Sequence, residues 1–130
     1  MPTLFSKIIS WEIPSYKIYE DEYVFAFLNI YPHAPGHALI IPKIEIDHIA
    51  DVPEPYYSAV FQVAKKLTPI LKEVSWCIRI CSMFSGFEIP HAHYHLIPCI
   101  TGKELEFSYA KPAKPKDLEI LQKKIWEYLM

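Results

Sequence analysis

The sequence lacks several features that would point to particular classes of protein. It has only three glycines and contains neither a GxxxxGK[ST] nor a GxGxxG motif, so the usual glycine-rich phosphate cradles are absent. No apolar run approaches the ~18 residues of a membrane-spanning helix. The N-terminus also lacks the apolar segment of a signal peptide. Three cysteines, an odd number, suit reduced thiols better than a disulfide framework. We therefore expect a cytoplasmic protein without a membrane partner.

Neither sign of charge dominates the chain. Thirteen basic and fifteen acidic side chains give a net charge of −2, and the basic ones form no stripe. Binding to nucleic acid is therefore not expected. Hydrophobic residues make up 52% of the 130 positions, enough to build the core of one domain. We expect a single domain over residues 1–130, with its core at about 4–100.

The spacing of apolar residues predicts an α+β domain with a mostly antiparallel sheet, because strands and helices follow one another with short connections. A helix after Pro55 has one apolar face that continues to Val74, and Pro69 is expected to kink or shorten it. A linker and a C-terminal helix occupy residues 111–130. The other predicted elements are a short helix at 4–9 and strands at 16–19, 23–30, 37–41, 76–83 and 91–97.

Three of the six histidines occupy alternate positions, at His91, His93 and His95. Alternate residues of a strand face the same side, so the predicted strand places all three imidazoles together. A purely structural role is disfavoured, because neighbouring neutral imidazoles each need a partner and fill space poorly. The spacing therefore indicates a metal site or a reaction centre.

Two kinds of chemistry are compatible with these residues. A transition metal could be shared by the histidines, with His37 or His95 as a further ligand and Glu88 as a base. Alternatively, one neutral imidazole could attack phosphorus while the others orient it, and backbone N–H groups of residues 86–90 hold phosphate oxygens. The residues alone leave both alternatives open.

The run His91-Ala92-His93-Tyr94-His95-Leu96-Ile97-Pro98 resembles the histidine triad motif, His-φ-His-φ-His-φ-φ, of the HIT superfamily of nucleotide hydrolases and transferases. Other blocks resemble those of the small Hint/Fhit-like branch, in the same order. They are Glu12-Ile13-Pro14-Ser15, Tyr19-Glu20-Asp21-Glu22, Ala26-Phe27-Leu28-Asn29-Ile30, Pro35-Gly36-His37 and Ile40-Ile41-Pro42-Lys43. The resemblance implies a HIT-like fold with a five-stranded antiparallel sheet, one long central helix, a C-terminal helix and a homodimer.

The resemblance also implies a mechanism without a cofactor. His93 would attack the α-phosphorus of a purine nucleoside phosphoramidate or a dinucleoside polyphosphate, and water would hydrolyse the resulting nucleotidyl-histidine. His95 would contact the α-phosphate, while His91 and His37 would orient the nucleophile. A neutral His93 is required for the attack.

The same resemblance assigns residues to the purine nucleotide. Asn29 stands where an acidic residue binds the ribose hydroxyls, and Phe27 and Ile30 would wall the base pocket. The backbone around Glu88 and Ile89 would meet the phosphate. The Glu88 carboxylate either protonates a leaving amine or faces solvent, and the sequence favours solvent.

Two departures from the family pattern modify this interpretation. Ile80, Ser82 and Phe87 stand where many members have Asn, Gly and Gln, so polar groups that assist the leaving group are missing. A nucleotide-binding module with little catalysis is therefore the alternative function, and a metal hydrolase is the third.

The second departure concerns zinc. Thr3, Ser6 and Glu45 stand where some relatives have zinc ligands, so no structural zinc is expected. His33 and His48 lie outside the recognised blocks and are expected on the surface.

Overall fold

The computed structural model describes residues 2–130 and contains five strands, three α-helices and three short 3₁₀ helices. The strands are β1 (Tyr16–Glu20), β2 (Val24–Leu28), β3 (Ala38–Pro42), β4 (Arg79–Phe84) and β5 (Tyr94–Cys99). The helices are α1 (Leu4–Ile9), α2 (Tyr56–Ser75) and α3 (Pro115–Leu129), and the 3₁₀ helices are Ile49–Asp51, Lys103–Leu105 and Phe107–Tyr109. None of the described helices is long and apolar enough to cross a membrane.

All five strands pair antiparallel in one sheet, in the order β1-β2-β3-β5-β4. The long helix α2 and the C-terminal helix α3 complete the architecture. The predicted α+β class is therefore confirmed, with its five-stranded antiparallel sheet, one long central helix and a C-terminal helix.

The two faces of the sheet carry different layers because side chains alternate along each strand. In β2, Val24, Ala26 and Leu28 belong to the core formed with α2 and α3. Phe25 and Phe27 belong to a smaller cluster on the opposite face, where α1 packs. The predicted site residue His95 lies on the α1 face, because it pairs with Leu39 of that cluster.

Helix α2 runs through Pro69 without interruption, so the predicted shortening was wrong. A proline inside a helix costs about 3 kcal/mol. Leu67 and Leu71 on either side of it are fully buried, and burial of such side chains offsets this cost. The helix ends where Trp76 adopts a left-handed conformation with φ of 57°, and the strand predicted from residue 76 therefore begins only at Arg79.

The histidine strand also begins later than predicted. Strand β5 starts at Tyr94, so His91 and His93 precede it. The reason is that the backbone N–H of His91 donates to the carbonyl of Ile89 (2.8 Å) and that of Ala92 to the carbonyl of Ile46 (2.7 Å). These bonds divert the chain from the ladder between β3 and β5.

Candidate active site

A cavity of about 360 Å³ opens on the α1 face of the sheet. Its walls bring together seven of the predicted site residues, which are Phe27, Asn29, Ile30, Glu88, Ile89, His93 and His95. The remaining two, His37 and His91, are buried with 1% and 0% exposure and contact the cavity histidines from behind.

His93 is held in one tautomer by the backbone. Its Nδ1 lies 2.7 Å from the carbonyl oxygen of His91, which can only accept, so Nδ1 carries the proton. The Nε2 atom of the neutral ring therefore holds a lone pair and lies 3.9 Å from Oε2 of Glu88. The ring of Phe5 in α1 packs edge-on against the imidazole at 4.9 Å. The result is a fixed imidazole whose Nε2 can act as a nucleophile.

His95 is held in the opposite tautomer through His37. The backbone N–H of His33 donates to Nδ1 of His37 (3.0 Å), so the proton of the His37 ring resides on Nε2. This Nε2–H group donates to Nδ1 of His95 at 2.9 Å. The proton of His95 must then be on its Nε2, which is buried and has no hydrogen-bond partner among residues 2–130. A buried donor left unsatisfied costs roughly 1–3 kcal/mol, so this group is suited to a ligand oxygen.

The tautomers are well defined because burial keeps these rings neutral. Burial, followed by the neighbouring imidazoles of His95 and His33, lowers the pKa of His37 to about 2. Burial, followed by the imidazoles of His93 and His33, lowers the pKa of His95 to about 3. Burial also lowers the pKa of His91. All three are therefore uncharged at neutral pH.

His91 fixes the nucleophile through its carbonyl, and its own ring is fixed on both sides. Its Nε2–H donates to the carbonyl of Pro42 (2.9 Å), and its Nδ1 accepts from the hydroxyl of Thr3 (3.0 Å). The carboxylate of Glu45 accepts from the Ser6 hydroxyl (2.7 Å) and from the Thr3 backbone N–H (2.6 Å), and these bonds lower the Glu45 pKa. Thr3, Ser6 and Glu45, which stand where some relatives have zinc ligands, thus form a hydrogen-bonded cluster that connects α1 to the site.

The geometry weakens the metal alternative. Both ring nitrogens of His91 and both of His37 are engaged by protein partners, which leaves no lone pair on either for a cation. Hydroxyl groups such as that of Thr3 are not typical zinc ligands. Within the described chain, no group of three or more His, Cys, Asp or Glu side chains is arranged to hold a metal ion.

The residues expected at the nucleotide differ in their surroundings. Phe27 is 5% exposed and packs edge-on against Phe5, whereas Ile30 is 51% exposed at the rim of the cavity. The side-chain oxygen of Asn29 accepts from the backbone N–H of Tyr31 at 2.9 Å. This bond orients the Asn29 amide, whose NH₂ group can donate to a ribose oxygen.

Among the cavity residues that the sequence did not predict are His33 and Phe107, whose rings lie against the site histidines. His33 was expected on the surface but is only 6% exposed, so that prediction was wrong. The turn through Pro35 and Gly36 (φ 94°) returns the chain so that the rings of His33 and His37 meet at 4.7 Å. Phe107 approaches from the segment after β5, for which the sequence offered no signal.

The positions that depart from the family pattern lie outside the cavity walls. The Ser82 hydroxyl accepts from the hydroxyl of Tyr94 (2.8 Å), and Ile80 packs against the main core. The Phe87 side chain is 96% exposed. Of the loop before the triad, Glu88 is therefore the residue with a polar side chain on the cavity.

Comparisons with known proteins find relatives in sequence and a solved structure with the same fold. The HIT domain family matches residues 10–101. A purine nucleoside phosphoramidase of Escherichia coli is 40% identical over 101 residues, which are 73% of this chain and 85% of that protein. An adenosine 5′-monophosphoramidase of Saccharomyces cerevisiae is 40% identical over 96 residues, 73% of this chain and 61% of that protein. The crystal structure of a HIT-like protein of Bartonella henselae matches with a TM-score of 0.85 and 31% identity, over 97% of this chain and 95% of that one.

Proposed function

Because the chain belongs to the HIT family, we propose that it is a nucleotide hydrolase that cleaves at the α-phosphate of a purine nucleoside phosphoramidate or a dinucleoside polyphosphate. The two relatives named as phosphoramidases support cleavage of a P–N bond. The observation that carries the proposal is the pair of opposite tautomers on one cavity wall, the lone pair at Nε2 of His93 and the proton at Nε2 of His95.

In the first step, the lone pair of His93 attacks the α-phosphorus. The new N–P bond forms as the bond to the leaving group breaks, and the leaving group takes that electron pair and a proton. The Nε2–H group of His95 donates to a phosphate oxygen, where negative charge is concentrated. The His91 carbonyl accepts from Nδ1–H of His93 and stabilises its positive charge. Water then cleaves the N–P bond and restores His93.

Glu88 is suited to act as a general acid in the first step and as a general base in the second step. Its side chain is 49% exposed, in agreement with the expectation that it faces solvent, yet Oε2 also lies 3.9 Å from Nε2 of His93. A carboxyl group at this position can exchange a proton with groups bound at the α-phosphate. The acid can then protonate the leaving amine, and the carboxylate can take a proton from water in the second step. Glu88 thus replaces the polar groups missing at Ile80 and Phe87.

The proposal includes a single-domain homodimer in the cytoplasm. Strand β4 is an edge strand whose outer backbone groups are unpaired within the sheet, and such edges are templates for pairing with another chain. Tyr57, Phe61 and Trp76 add large exposed apolar side chains on α2 and at its C-terminal end. The absence of nucleic acid and membrane partners stays a prediction from the sequence.

The test is to mix the protein with an adenosine phosphoramidate and with a dinucleoside polyphosphate, quench rapidly, and measure nucleotidyl adducts by peptide mass spectrometry. We expect an adduct on His93 in the wild type, none in His93→Ala, and turnover that persists in EDTA. His48→Ala is the matched control, because the His48 side chain is 78% exposed and lies outside the cavity.

Three other outcomes would contradict the proposal in different ways. Tight binding of a nucleoside monophosphate without hydrolysis would indicate the binding module. Loss of activity in EDTA would indicate a metal hydrolase. Wild-type activity in His93→Ala would remove the nucleophile from its proposed role.

A further inference from the structure

His33 is a buried imidazole that the proposed mechanism does not use. The residue lines both the cavity that contains His93 and His95 and a neighbouring cavity of about 450 Å³. The His33 Nδ1 atom is 2.7 Å from the backbone carbonyl of Glu104, which can only accept, so Nδ1 donates. The same residue supplies the backbone N–H that His37 accepts. His33 therefore joins two segments that are distant in the sequence.

The second segment is itself rigidly held at the end of β5. The Glu104 carboxylate accepts from the backbone N–H groups of Ile100 (2.9 Å), Thr101 (3.3 Å) and Gly102 (2.8 Å). These hydrogen bonds lower the pKa of Glu104 to about 2, so its charge is retained throughout the neutral range. The carbonyl that His33 contacts is thus fixed relative to β5, the strand that contains His95.

These contacts form a closed path through the site. It runs from His95 along β5 to Glu104, from the Glu104 carbonyl to the His33 imidazole, from the His33 backbone to His37, and from His37 back to His95. The turn is also held by the backbone N–H of His37, which donates to the carbonyl of Ala34 (3.1 Å), so the contact to Glu104 is the restraint that the His33 side chain adds. Loss of this restraint would weaken the hydrogen bond from the His33 backbone N–H to Nδ1 of His37. That nitrogen can then take the proton, and the tautomer of His95 is no longer determined.

We propose that His33 is a positioning residue, whose hydrogen bond to Glu104 holds His37 and thereby keeps the proton of His95 on Nε2, facing the nucleotide phosphate. The consequence for catalysis rests on the proposed function, whereas the consequence for the tautomer does not. A His95 ring in the other tautomer would present a lone pair to the phosphate oxygen, which repels it instead of donating to it.

The packing of the His33 ring offers a competing explanation, since it contacts Phe107 edge-on at 5.0 Å. Two substitutions separate the hydrogen bond from the ring. In His33→Asn, the amide nitrogen stands near the place of Nδ1, so the donor is kept and the ring is lost. In His33→Phe, the ring is kept and the donor is lost.

The experiment measures the tautomer of His95 by ¹⁵N NMR of the imidazoles without substrate, together with kcat and KM. We expect His33→Phe to populate both tautomers and to lower kcat by on the order of tenfold, with a smaller change in KM. This loss is smaller than the 10²–10³-fold effect of removing an oxyanion donor outright. His33→Asn should show the wild-type tautomer and recover most of the rate.

Glu104→Gln tests the same path from its other end, because a neutral amide binds the three backbone N–H groups more weakly than a carboxylate does. We expect this variant also to populate the second tautomer of His95, but to a smaller extent than His33→Phe. Thermal unfolding shows whether each variant is folded. A single wild-type tautomer in both His33→Phe and Glu104→Gln would overturn the proposal. So would a normal tautomer and rate in His33→Phe with a loss of both in His33→Asn. Because the NMR measurement needs no substrate, it remains decisive if the protein hydrolyses none of the nucleotides tested.

Discussion

Acidification should destabilise this fold steeply, through the buried histidines of the site. His37, His91 and His95 all have lowered pKa values in the folded chain. On unfolding, each imidazole returns to its ordinary pKa of 6.5. Their contribution to stability is therefore complete above that pH. As the pH falls, it is lost because the unfolded chain binds protons that the folded chain excludes.

The slope of the free energy of unfolding against pH follows from the number of protons taken up on unfolding rather than from the size of the pKa shifts. One proton contributes about 1.4 kcal/mol per pH unit, so His37 and His95, whose pKa values fall to about 2 and about 3, give about 2.7 kcal/mol per pH unit once the unfolded chain is protonated, and the lowered pKa of His91 adds to this slope. Carboxylates with lowered pKa values, such as Glu20 and Glu45, add to the loss only below about their ordinary pKa of 4.5. A domain of typical stability, roughly 5–15 kcal/mol, would then unfold between about pH 5 and pH 3.

The assay is urea unfolding followed by circular dichroism, from about pH 7 down to about pH 5. Protein concentration and ionic strength are fixed, because the stability of a dimer depends on concentration. His95→Asn removes one of these protons, so its slope should be shallower than that of the wild type by about 1.4 kcal/mol per pH unit. His48→Asn is the matched control, because it makes the same substitution at a histidine whose side chain is 78% exposed and lies outside the buried cluster.

A free energy of unfolding that stays constant across this range would refute the reasoning. A His95→Asn variant with the full wild-type slope would also refute it, since groups other than His95 would then account for the protons taken up on unfolding.

Two further predictions concern activity. In His95→Asn, the side-chain oxygen can still accept from His37, but no Nε2–H group remains. We therefore expect kcat to fall by about 10²–10³-fold. Steady-state kinetics that show a loss of less than about tenfold would contradict the role of His95 as a donor to the phosphate oxygen. Glu88→Gln should slow the release of alkylamine leaving groups by on the order of 10²-fold or more. It should not slow the release of p-nitrophenolate, because this leaving group needs no proton. Equal losses of rate with both leaving groups in single-turnover assays would argue against proton transfer by Glu88.

The sequence predicted those parts of the fold that depend on local pattern. Continuous runs of apolar residues marked β2 and β3, which are buried on both faces, and a repeat of three and four residues marked α2, which buries one face. The start of β5 could not be predicted, since it depends on where the N–H groups of His91 and Ala92 find acceptors in other loops.

The candidate site shows the same division. The triad and His37 were recognisable from their motifs, and the structure brings them together around one cavity wall. His33 was not, because its acceptor in Glu104 lies 71 residues away and is a backbone carbonyl, which any residue type supplies. The tautomers were also beyond reach, since they depend on hydrogen bonds between segments that the sequence does not connect.

The unpartnered Nε2–H group of His95 has a consequence for the end of the reaction. A donor that regains a hydrogen bond when a phosphate oxygen arrives favours any ligand with such an oxygen. In the proposed mechanism, the nucleoside monophosphate released in the second step has such an oxygen at the same position. The same hydrogen bond therefore holds the phosphate of the product after the reaction, in addition to stabilising the charge that develops during the attack. The feature that assists attack at phosphorus thus makes the enzyme prone to product inhibition, and departure of the nucleotide becomes a candidate for the slowest step.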